Sequence, residues 1–225
     1  MAFSFSVKAS DCYEPALGPL KPRSSLEALP DVRVPVLLGV TKQDGLGASE
    51  LEQLFFCKKP STKEELKSFL QRFQLDVFDH YWSEGLSEPL AAHQALSGLS
   101  NDLWYFAGTY RMAQLLSNTK SFLYCFAGAK NSTHGSDTAF WRGQKRSQLS
   151  QQMASYLVNF ACSGDPNSPG LPVWRAFAEG EWMCLEQPPS MRQLPETDRK
   201  WFDFLSKSFE ALSKSAPGTR PAWQG

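Results

Sequence analysis

Two short apolar runs, each followed at once by a polar loop, constrain the fold of this chain more than any other feature. Val34–Val40 reads V-P-V-L-L-G-V and is rich in β-branched residues, and Ser121–Phe126 reads S-F-L-Y-C-F. Runs of this length and composition are typical of strands buried on both faces of a parallel sheet. The sequence therefore predicts an α/β fold with few, mostly parallel strands packed by many helices.

The segment between the two runs is predicted to be helical. Ser61-Thr-Lys-Glu-Glu has the pattern of a capped helix start, and Pro89 suits the first turn of a second helix. A third helix, Leu103–Leu116, is expected to follow the polar residues Ser100–Asp102 and to be largely buried. This segment is long enough to serve as the crossover that joins two parallel strands.

The carboxyl-terminal half alternates helix and strand signals. An amphipathic helix, Ser147–Cys162, is predicted to stop at the turn Ser163–Gly170, and Trp182–Leu185 is a short strand candidate. A last helix, Trp201–Ser213, should face inward with Trp201, Phe204, Leu205, Phe209 and Leu212. The proline-rich residues 1–30 predict an extended lead-in, and residues 216–225 predict a frayed tail.

The charge balance excludes some classes of partner. Lys and Arg number 23 and Asp and Glu also number 23, so no net field attracts the chain to nucleic acid or to an anionic membrane surface. No run approaches the roughly 18 apolar residues of a membrane span. The first residues lack the layout of a signal peptide, which predicts a cytoplasmic protein if the start is genuine, or a missing amino terminus.

The cysteines do not indicate a metal or redox site. Five cysteines are widely spread, and no two form a C-x-x-C pair. Most are predicted to be small buried residues, and we expect neither a metal nor a cofactor. The five are Cys12, Cys57, Cys125, Cys162 and Cys184.

The polar loops after the two apolar runs contain an acid and a base. Asp44 follows the first run, and His134 lies in the loop after the second. If the strands are parallel, both side chains lie at the carboxyl edge of one sheet, where an acid can orient an imidazole and the imidazole can accept a proton. The spacing alone leaves open that His134 is an ordinary surface residue. His80 and His93 lie within helical segments and are interpreted as structural.

Several ordered blocks resemble the type-B carboxylesterases and cholinesterases. Val34–Gly45 resembles the family's block that ends in its acidic residue and Gly, and His134-Gly-Ser-Asp resembles the block that carries its histidine. Leu149–Asn167, ending in Gly-Asp-Pro-Asn, resembles the helix and turn that follow. The resemblance implies the carboxyl-terminal portion of an α/β-hydrolase over residues 1–225, with Asp44 as the orienting acid and His134 as the general base.

The resemblance also implies that a nucleophile is supplied from elsewhere. The 225 residues contain no G-x-S-x-G motif and no glycine-rich oxyanion segment, both of which lie in the amino-terminal half of such enzymes. We therefore expect a carboxylic ester as the substrate of the complete protein, a missing amino-terminal half, and no activity from this chain alone. Should the chain be active alone, Ser132 or Ser136 would be the serine to consider.

Two alternatives remain at this point. A non-catalytic, cholinesterase-like interaction or adhesion module would keep the fold without the reaction. Retention of both Asp44 and His134 argues against that hypothesis, because such a module has no need of the pair. An unrelated helical protein is the second alternative, since a single sequence fixes topology poorly.

Overall fold

A four-stranded sheet forms the centre of the computed structural model, which describes residues 25–45, 59–72, 75–178 and 180–214. Its strands lie side by side in chain order: β1 Val36–Thr41, β2 Ser121–Phe126, β3 Glu181–Leu185 and β4 Ser190–Gln193. The first three strands are parallel, and β4 returns antiparallel to β3. The predicted parallel pairing of the two apolar runs is confirmed.

Strands β1 and β2 pair along their whole length, from Val36 opposite Ser121 to Thr41 opposite Phe126. All six residues of β2 are buried, as its almost continuous apolar sequence predicts. Because the strands are parallel and in register, they end at the same edge of the sheet. The loops that follow them therefore begin next to each other.

Helices surround the sheet. They are α1 Ser25–Ala28, α2 Lys63–Arg72, α3 Phe78–Tyr81, α4 Glu88–Ser100, α5 Gly108–Leu115, α6 Thr138–Trp141, α7 Gln148–Ser163 and α8 Glu196–Lys214. The predicted starts of α2 and α4 hold: Thr62 Oγ1 accepts a hydrogen bond from the Glu65 N–H at 3.1 Å, and a proline lies in the first turn of α4. In the part of the chain that the structure describes, no helix is both long and apolar enough to cross a membrane.

Helices α4 and α5 are joined without a break. The residues between them, Asn101–Ala107, form a π-helical segment, and Ser100, Ala107 and Gly108 all have helical backbone angles. The polar residues Ser100–Asp102 were expected to separate two helices, and that expectation is wrong. Their side chains bond to neighbouring groups while the backbone continues as a helix.

Apolar side chains pack on both faces of the sheet. Alternate residues of β2 point in opposite directions, so that Leu123 and Cys125 join one cluster and Phe122, Tyr124 and Phe126 the other. The first cluster includes side chains from α2, α4, α5 and α8, and the second includes side chains from α7. The sheet is thus the middle layer of three.

The turn after α7 is fixed by a side-chain amide. Gly164 ends the helix with φ of 74°, a backbone angle that glycine adopts without strain. Asn167 then donates from Nδ2 to the carbonyl of Trp174 at 2.8 Å and accepts from the Trp174 N–H at 2.7 Å. The Asn167 side chain therefore pairs with Trp174 as a neighbouring strand would, and Trp174 itself is 1% exposed.

Two sequence-based predictions need correction, and one strand was not predicted. Residues 1–24 lie outside the described part, but the end of the expected lead-in forms α1 and a 3₁₀ turn, Leu29–Asp31, in which a proline occupies the first turn where no N–H is needed. On α8, Phe204 was expected to face inward and is 43% exposed, whereas the neighbouring Phe202 is 6% exposed. Strand β4 was not predicted.

Other predictions fall partly outside the described residues. The side chains of Phe209 and Leu212 lie outside them, as do residues 216–225, Cys12 and Cys57. Cys125 and Cys184 are buried, as predicted, and occupy opposite positions on β2 and β3. Cys162 is exposed, because it lies on the outer side of the last turn of α7.

Candidate active site

The loop after β1 holds Asp44 in a fixed position. The pairing with β2 continues past the strand, since the Lys42 N–H donates to the Phe126 carbonyl at 2.9 Å. Asp44 then turns back, and its Oδ2 accepts a hydrogen bond from the Thr41 N–H at 2.6 Å. The residue is only 5% exposed. One carboxylate oxygen is thus occupied by the backbone of the strand, which leaves Oδ1 to meet another residue.

The loop after β2 carries His134. The Ser132 hydroxyl donates to the Ala129 carbonyl at 3.0 Å and accepts from the Ala129 N–H at 3.3 Å, which closes a tight turn before the histidine. The Gln43 N–H donates to the Ser132 carbonyl at 2.9 Å, and Gln43 and Thr133 form a parallel bridge. The two loops are therefore joined by backbone pairing directly before Asp44 and His134.

Asp44 and His134 meet at the carboxyl edge of the sheet. Their Oδ1 and Nδ1 atoms are 2.7 Å apart. An ionised carboxylate can only accept a hydrogen bond, so Nδ1 carries the proton and a neutral imidazole keeps its lone pair on Nε2. The side chain of Asp44 is 7% exposed and that of His134 is 33% exposed. The acid is therefore sheltered, and the base is open to an approaching molecule.

The exposed side of the imidazole has no polar partner in the described part of the chain. Among those residues its one hydrogen bond is the bond to Asp44, and Nε2 has none. Ser132 is 4% exposed and bonded to Ala129, and the buried Ser136 hydroxyl has no hydrogen-bond partner there. Neither serine contacts the base as a nucleophile would.

The segment after His134 is bonded to a side chain of β2. The Tyr124 hydroxyl donates to Asp137 Oδ2 at 2.9 Å, and Trp141 Nε1 donates to the same oxygen at 3.2 Å. Burial raises the pKa of Tyr124 well above its ordinary value, and the negative charge of Asp137 raises it further. The hydroxyl therefore keeps its proton and remains a donor to Asp137, three residues beyond the histidine.

The other two histidines lie in other environments. The His80 ring stacks on Trp201 with 3.8 Å between centroids. His93 Nδ1 lies 2.9 Å from Lys59 Nζ, and burial, together with the charge of Lys59, lowers the pKa of His93. Both lie within helices, α3 and α4, as the sequence indicated. Neither has a carboxylate partner comparable with that of His134 among the hydrogen bonds of the described residues.

The described residues also show no arrangement for a metal. Within ranges 25–45, 59–72, 75–178 and 180–214, no three His, Cys, Asp or Glu side chains are grouped so that they could hold an ion.

Three residues near this pair were not predicted from the sequence. Asn101 accepts a hydrogen bond from the Gly45 N–H at 3.0 Å, and the Tyr105 ring lies 5.5 Å from the imidazole centroid of His134. Tyr124 supports the same loop through Asp137. Asn101 had been interpreted as part of a break between two helices, and Tyr105 and Tyr124 as parts of a helix and a strand, because no local pattern signals these contacts.

Comparisons with known proteins are consistent with this geometry. The model of the carboxylesterase family matches residues 3–202. Carboxylesterase 5A of Canis lupus familiaris is 35% identical over 72 residues, which make up 31% of this chain and 12% of that protein. Two solved structures of PNB esterase are similar at 17% identity, with TM-scores of 0.59 and 0.61.

The structural matches cover most of this chain but less than half of each esterase chain. The PNB esterase comparisons cover 83% and 87% of this chain, but 42% and 44% of the esterase chains. The chain thus spans less than half the length of those solved structures. The structural likeness shows the α/β-hydrolase fold, and the predicted fold class is confirmed.

Proposed function

Because this chain belongs to the carboxylesterase family, we propose that it supplies the acid and the base of a serine ester hydrolase. The observation that carries the proposal is the 2.7 Å contact between Asp44 Oδ1 and His134 Nδ1. It joins a sheltered carboxylate to an imidazole whose other nitrogen faces outward, which is the arrangement that a proton-transferring base requires.

In the proposed reaction, each side chain has one role. Asp44 holds the imidazole in the tautomer with the proton on Nδ1 and stabilises the imidazolium when it forms. His134 Nε2 accepts the proton of a serine hydroxyl as that oxygen attacks the carbonyl carbon of a carboxylic ester. It then returns the proton to the leaving alcohol, which leaves an acyl-serine intermediate. In the second half of the reaction, Nε2 accepts a proton from water as the water oxygen attacks the acyl carbon, and returns that proton to the serine oxygen as the carboxylic acid leaves.

We propose that the nucleophilic serine comes from a segment that precedes these 225 residues in the complete protein. No G-x-S-x-G motif occurs in the 225 residues. Among the described residues, neither serine of the His134 loop bonds to the base. This chain covers 42% and 44% of the two PNB esterase chains, so more than half of each esterase has no counterpart in it. We therefore propose that this chain is the carboxyl-terminal portion of the catalytic domain.

The test compares the short chain with a longer protein. The purified 225-residue chain should neither hydrolyse a nitrophenyl ester nor react with a fluorophosphonate, which labels activated serines. A longer protein in which a segment with a G-x-S-x-G motif precedes this chain should do both. In that protein, His134→Ala and Asp44→Asn should each lower kcat on the order of 10⁴-fold or more.

Each outcome distinguishes between hypotheses. Labelling of a defined serine in the short chain, lost on His134→Ala, would show that a complete site exists without an added segment. A longer protein that folds but neither labels nor hydrolyses esters would favour the non-catalytic interaction module instead. Normal turnover by the longer protein after His134→Ala would refute the role given to the histidine.

A further inference from the structure

One helical face contacts both loops of the candidate site. Gly45 follows Asp44 directly, and its N–H donates to Asn101 Oδ1 at 3.0 Å. Four residues further along the same helical stretch, the buried ring of Tyr105 lies against the imidazole of His134, with 5.5 Å between centroids at an angle of 51°. The backbone directly after the acid and the ring of the base are thus each contacted by a residue of the π-helical segment Asn101–Ala107.

The loop also lies unusually close to this helix. A Cβ on Gly45 would be 2.6 Å from the Ser97 carbonyl oxygen and 3.1 Å from the Asn101 Cβ. The first of these distances is too short for any real side chain, so the residue after Asp44 must be glycine for the loop to reach Asn101. Close backbone approach is one of the established uses of glycine.

The π-helical geometry explains how one face meets both loops. Ser97, Asn101 and Tyr105 are spaced by four residues, and in an α-helix each such step overshoots a full turn by about 40°. From Asn101 onward the turn is wider, because hydrogen bonds run from residue i to i+5, so a four-residue step falls short of a full turn. The two deviations oppose each other and keep the three residues on one side.

From these contacts we propose that Asn101 and Tyr105 are positioning residues for the Asp44–His134 pair. Asn101 fixes the position of the Asp44 backbone relative to the helix by accepting a hydrogen bond from the Gly45 N–H. Tyr105 limits rotation of the imidazole by packing against it. Neither side chain transfers a proton. The proposal rests on the proposed function, since it assumes that Asp44 and His134 act as one unit. It adds which residues hold the two side chains in position relative to each other.

The experiment observes the proton between the two residues in the 225-residue chain itself. A histidine Nδ1 proton bonded to a carboxylate gives a separate low-field NMR signal, which is assigned by its loss in His134→Gln. Asn101→Ala should raise the rate at which this proton exchanges with water by about tenfold, the factor that corresponds to one ordinary hydrogen bond. Asn101→Asp keeps an acceptor oxygen for the Gly45 N–H and should restore slow exchange.

The tyrosine is tested in the same way. Tyr105→Leu removes the aromatic ring and should raise the exchange rate, whereas Tyr105→Phe keeps the ring and should leave the rate within about twofold of the original. Asn118→Ala is the matched control for the asparagine, because Asn118 donates to the Pro30 carbonyl in an exposed turn instead of contacting Gly45. It should leave the exchange rate unchanged.

The failures of the two proposals are distinguishable. A low-field signal that persists in Asp44→Asn would contradict the pairing on which the proposed function depends. A signal lost in Asp44→Asn but equally protected in Asn101→Ala and Asn118→Ala would overturn the positioning role. If Asn101→Ala does not fold, Gly45→Ala decides: unchanged exchange in that variant would overturn the proposal, and faster exchange would support it.

Discussion

Tyr124 supports the His134 loop from within the sheet, because its buried hydroxyl donates a 2.9 Å hydrogen bond to Asp137. The ring lies in the second apolar cluster, and its hydroxyl reaches the polar turn above it. A core residue of β2 is therefore connected to the candidate site. This contact predicts that a single oxygen atom in the core contributes to both stability and the order of the loop.

Tyr124→Phe should lower the free energy of unfolding by about 1–3 kcal/mol, because the carboxylate of Asp137 loses a partner in a part-buried position. Denaturant unfolding measures this change. The matched control is Tyr156→Phe on α7, which removes a 2.6 Å hydrogen bond from the tyrosine hydroxyl to the Pro172 carbonyl. Both variants should lose stability, but only Tyr124→Phe should change the low-field proton signal of His134. A change of that signal in both variants would contradict a specific link.

Gly39 must remain glycine because the sheet leaves no space above it. A Cβ at this position would lie 2.4 Å from two carbons of the Tyr124 ring and 2.5 Å from the Tyr124 carbonyl oxygen. Gly39→Ala should cost about 3 kcal/mol or more, since the clash includes backbone that cannot move without disturbing β2. The shift in the midpoint of urea unfolding gives the value.

Gly108→Ala is the control with the opposite sign. Gly108 has helical backbone angles, and the nearest atom to an added Cβ is the Leu103 carbonyl oxygen at 3.9 Å. Alanine should stabilise this helical position by about 0.5–1 kcal/mol. A stabilising Gly39→Ala, or two variants with equal losses, would show that the close packing of β1 on Tyr124 is wrong.

Asn167→Ala should be more costly than a typical loss of an asparagine. The side chain bonds to both backbone groups of Trp174 and also donates from Nδ2 to Asp165 Oδ1 at 2.8 Å. Removing it leaves the buried Trp174 backbone without those partners, which predicts a loss of about 2–4 kcal/mol in thermal or denaturant unfolding. Asn118→Ala, in an exposed turn, should change stability by less than about 0.5 kcal/mol. Equal effects would refute the role given to the turn.

The buried carboxyl of Asp102 should produce a pH dependence of stability. Burial raises the pKa of Asp102 above its ordinary value, although hydrogen bonds from Tyr81 and Asn101 act in the opposite direction. Its other neighbours are His80, whose charge when protonated also lowers the pKa, and the Trp201 N–H. The folded state therefore binds more protons than the unfolded state, and the free energy of unfolding should fall as pH rises above the ordinary carboxyl range.

Asp102→Asn removes this group while keeping an acceptor for the Tyr81 hydroxyl, so the fall with rising pH should be smaller in the variant. Urea unfolding at a series of weakly acidic pH values measures the difference.

Glu84→Gln is expected to change the pH dependence of stability in the opposite direction, because a hydrogen bond from Lys63 lowers the pKa of Glu84. That stabilisation exists above the ordinary carboxyl range and is lost as pH falls, so the variant should lose less stability on acidification. The Glu84 effect should be small and sensitive to salt, since the pair is exposed.

The elements that the sequence predicted are those whose own residues define them. Strand β2 and helix α7 have continuous local patterns, and both were found within a residue or two of their predicted limits. Strand β4 has the polar sequence S-M-R-Q and forms only by pairing with β3, so nothing local indicates it. The helical continuation through Asn101 was missed for a related reason: polar residues that usually mark a helix end are here bonded to Gly45 and Asp102.

The positions of Asp44 and His134 could be predicted because polar loops at the ends of parallel strands must lie at one edge. Their partners could not be predicted in the same way. The contact between Gly45 and Asn101 depends on how a long crossover packs on the sheet, and the orientation of Tyr105 depends on the number of residues in a single helical turn. Such contacts are set by tertiary packing and have no periodic signal in the sequence.

The parallel pairing of β1 with β2 has a consequence for the order of folding. All residues between Thr41 and Ser121 must be looped out before the first hydrogen bond of this pair can form, whereas the helices within that segment close through local contacts. Long loops must lose entropy before they gain contacts, so we expect helices α4 and α5 to form early and the sheet to close late. Pulsed hydrogen exchange during refolding would show this as early protection of amides in α4 and late protection in β1. Until closure, the two loops are separated and the apolar strand β2 is uncovered, a state in which the nascent chain would be prone to aggregate.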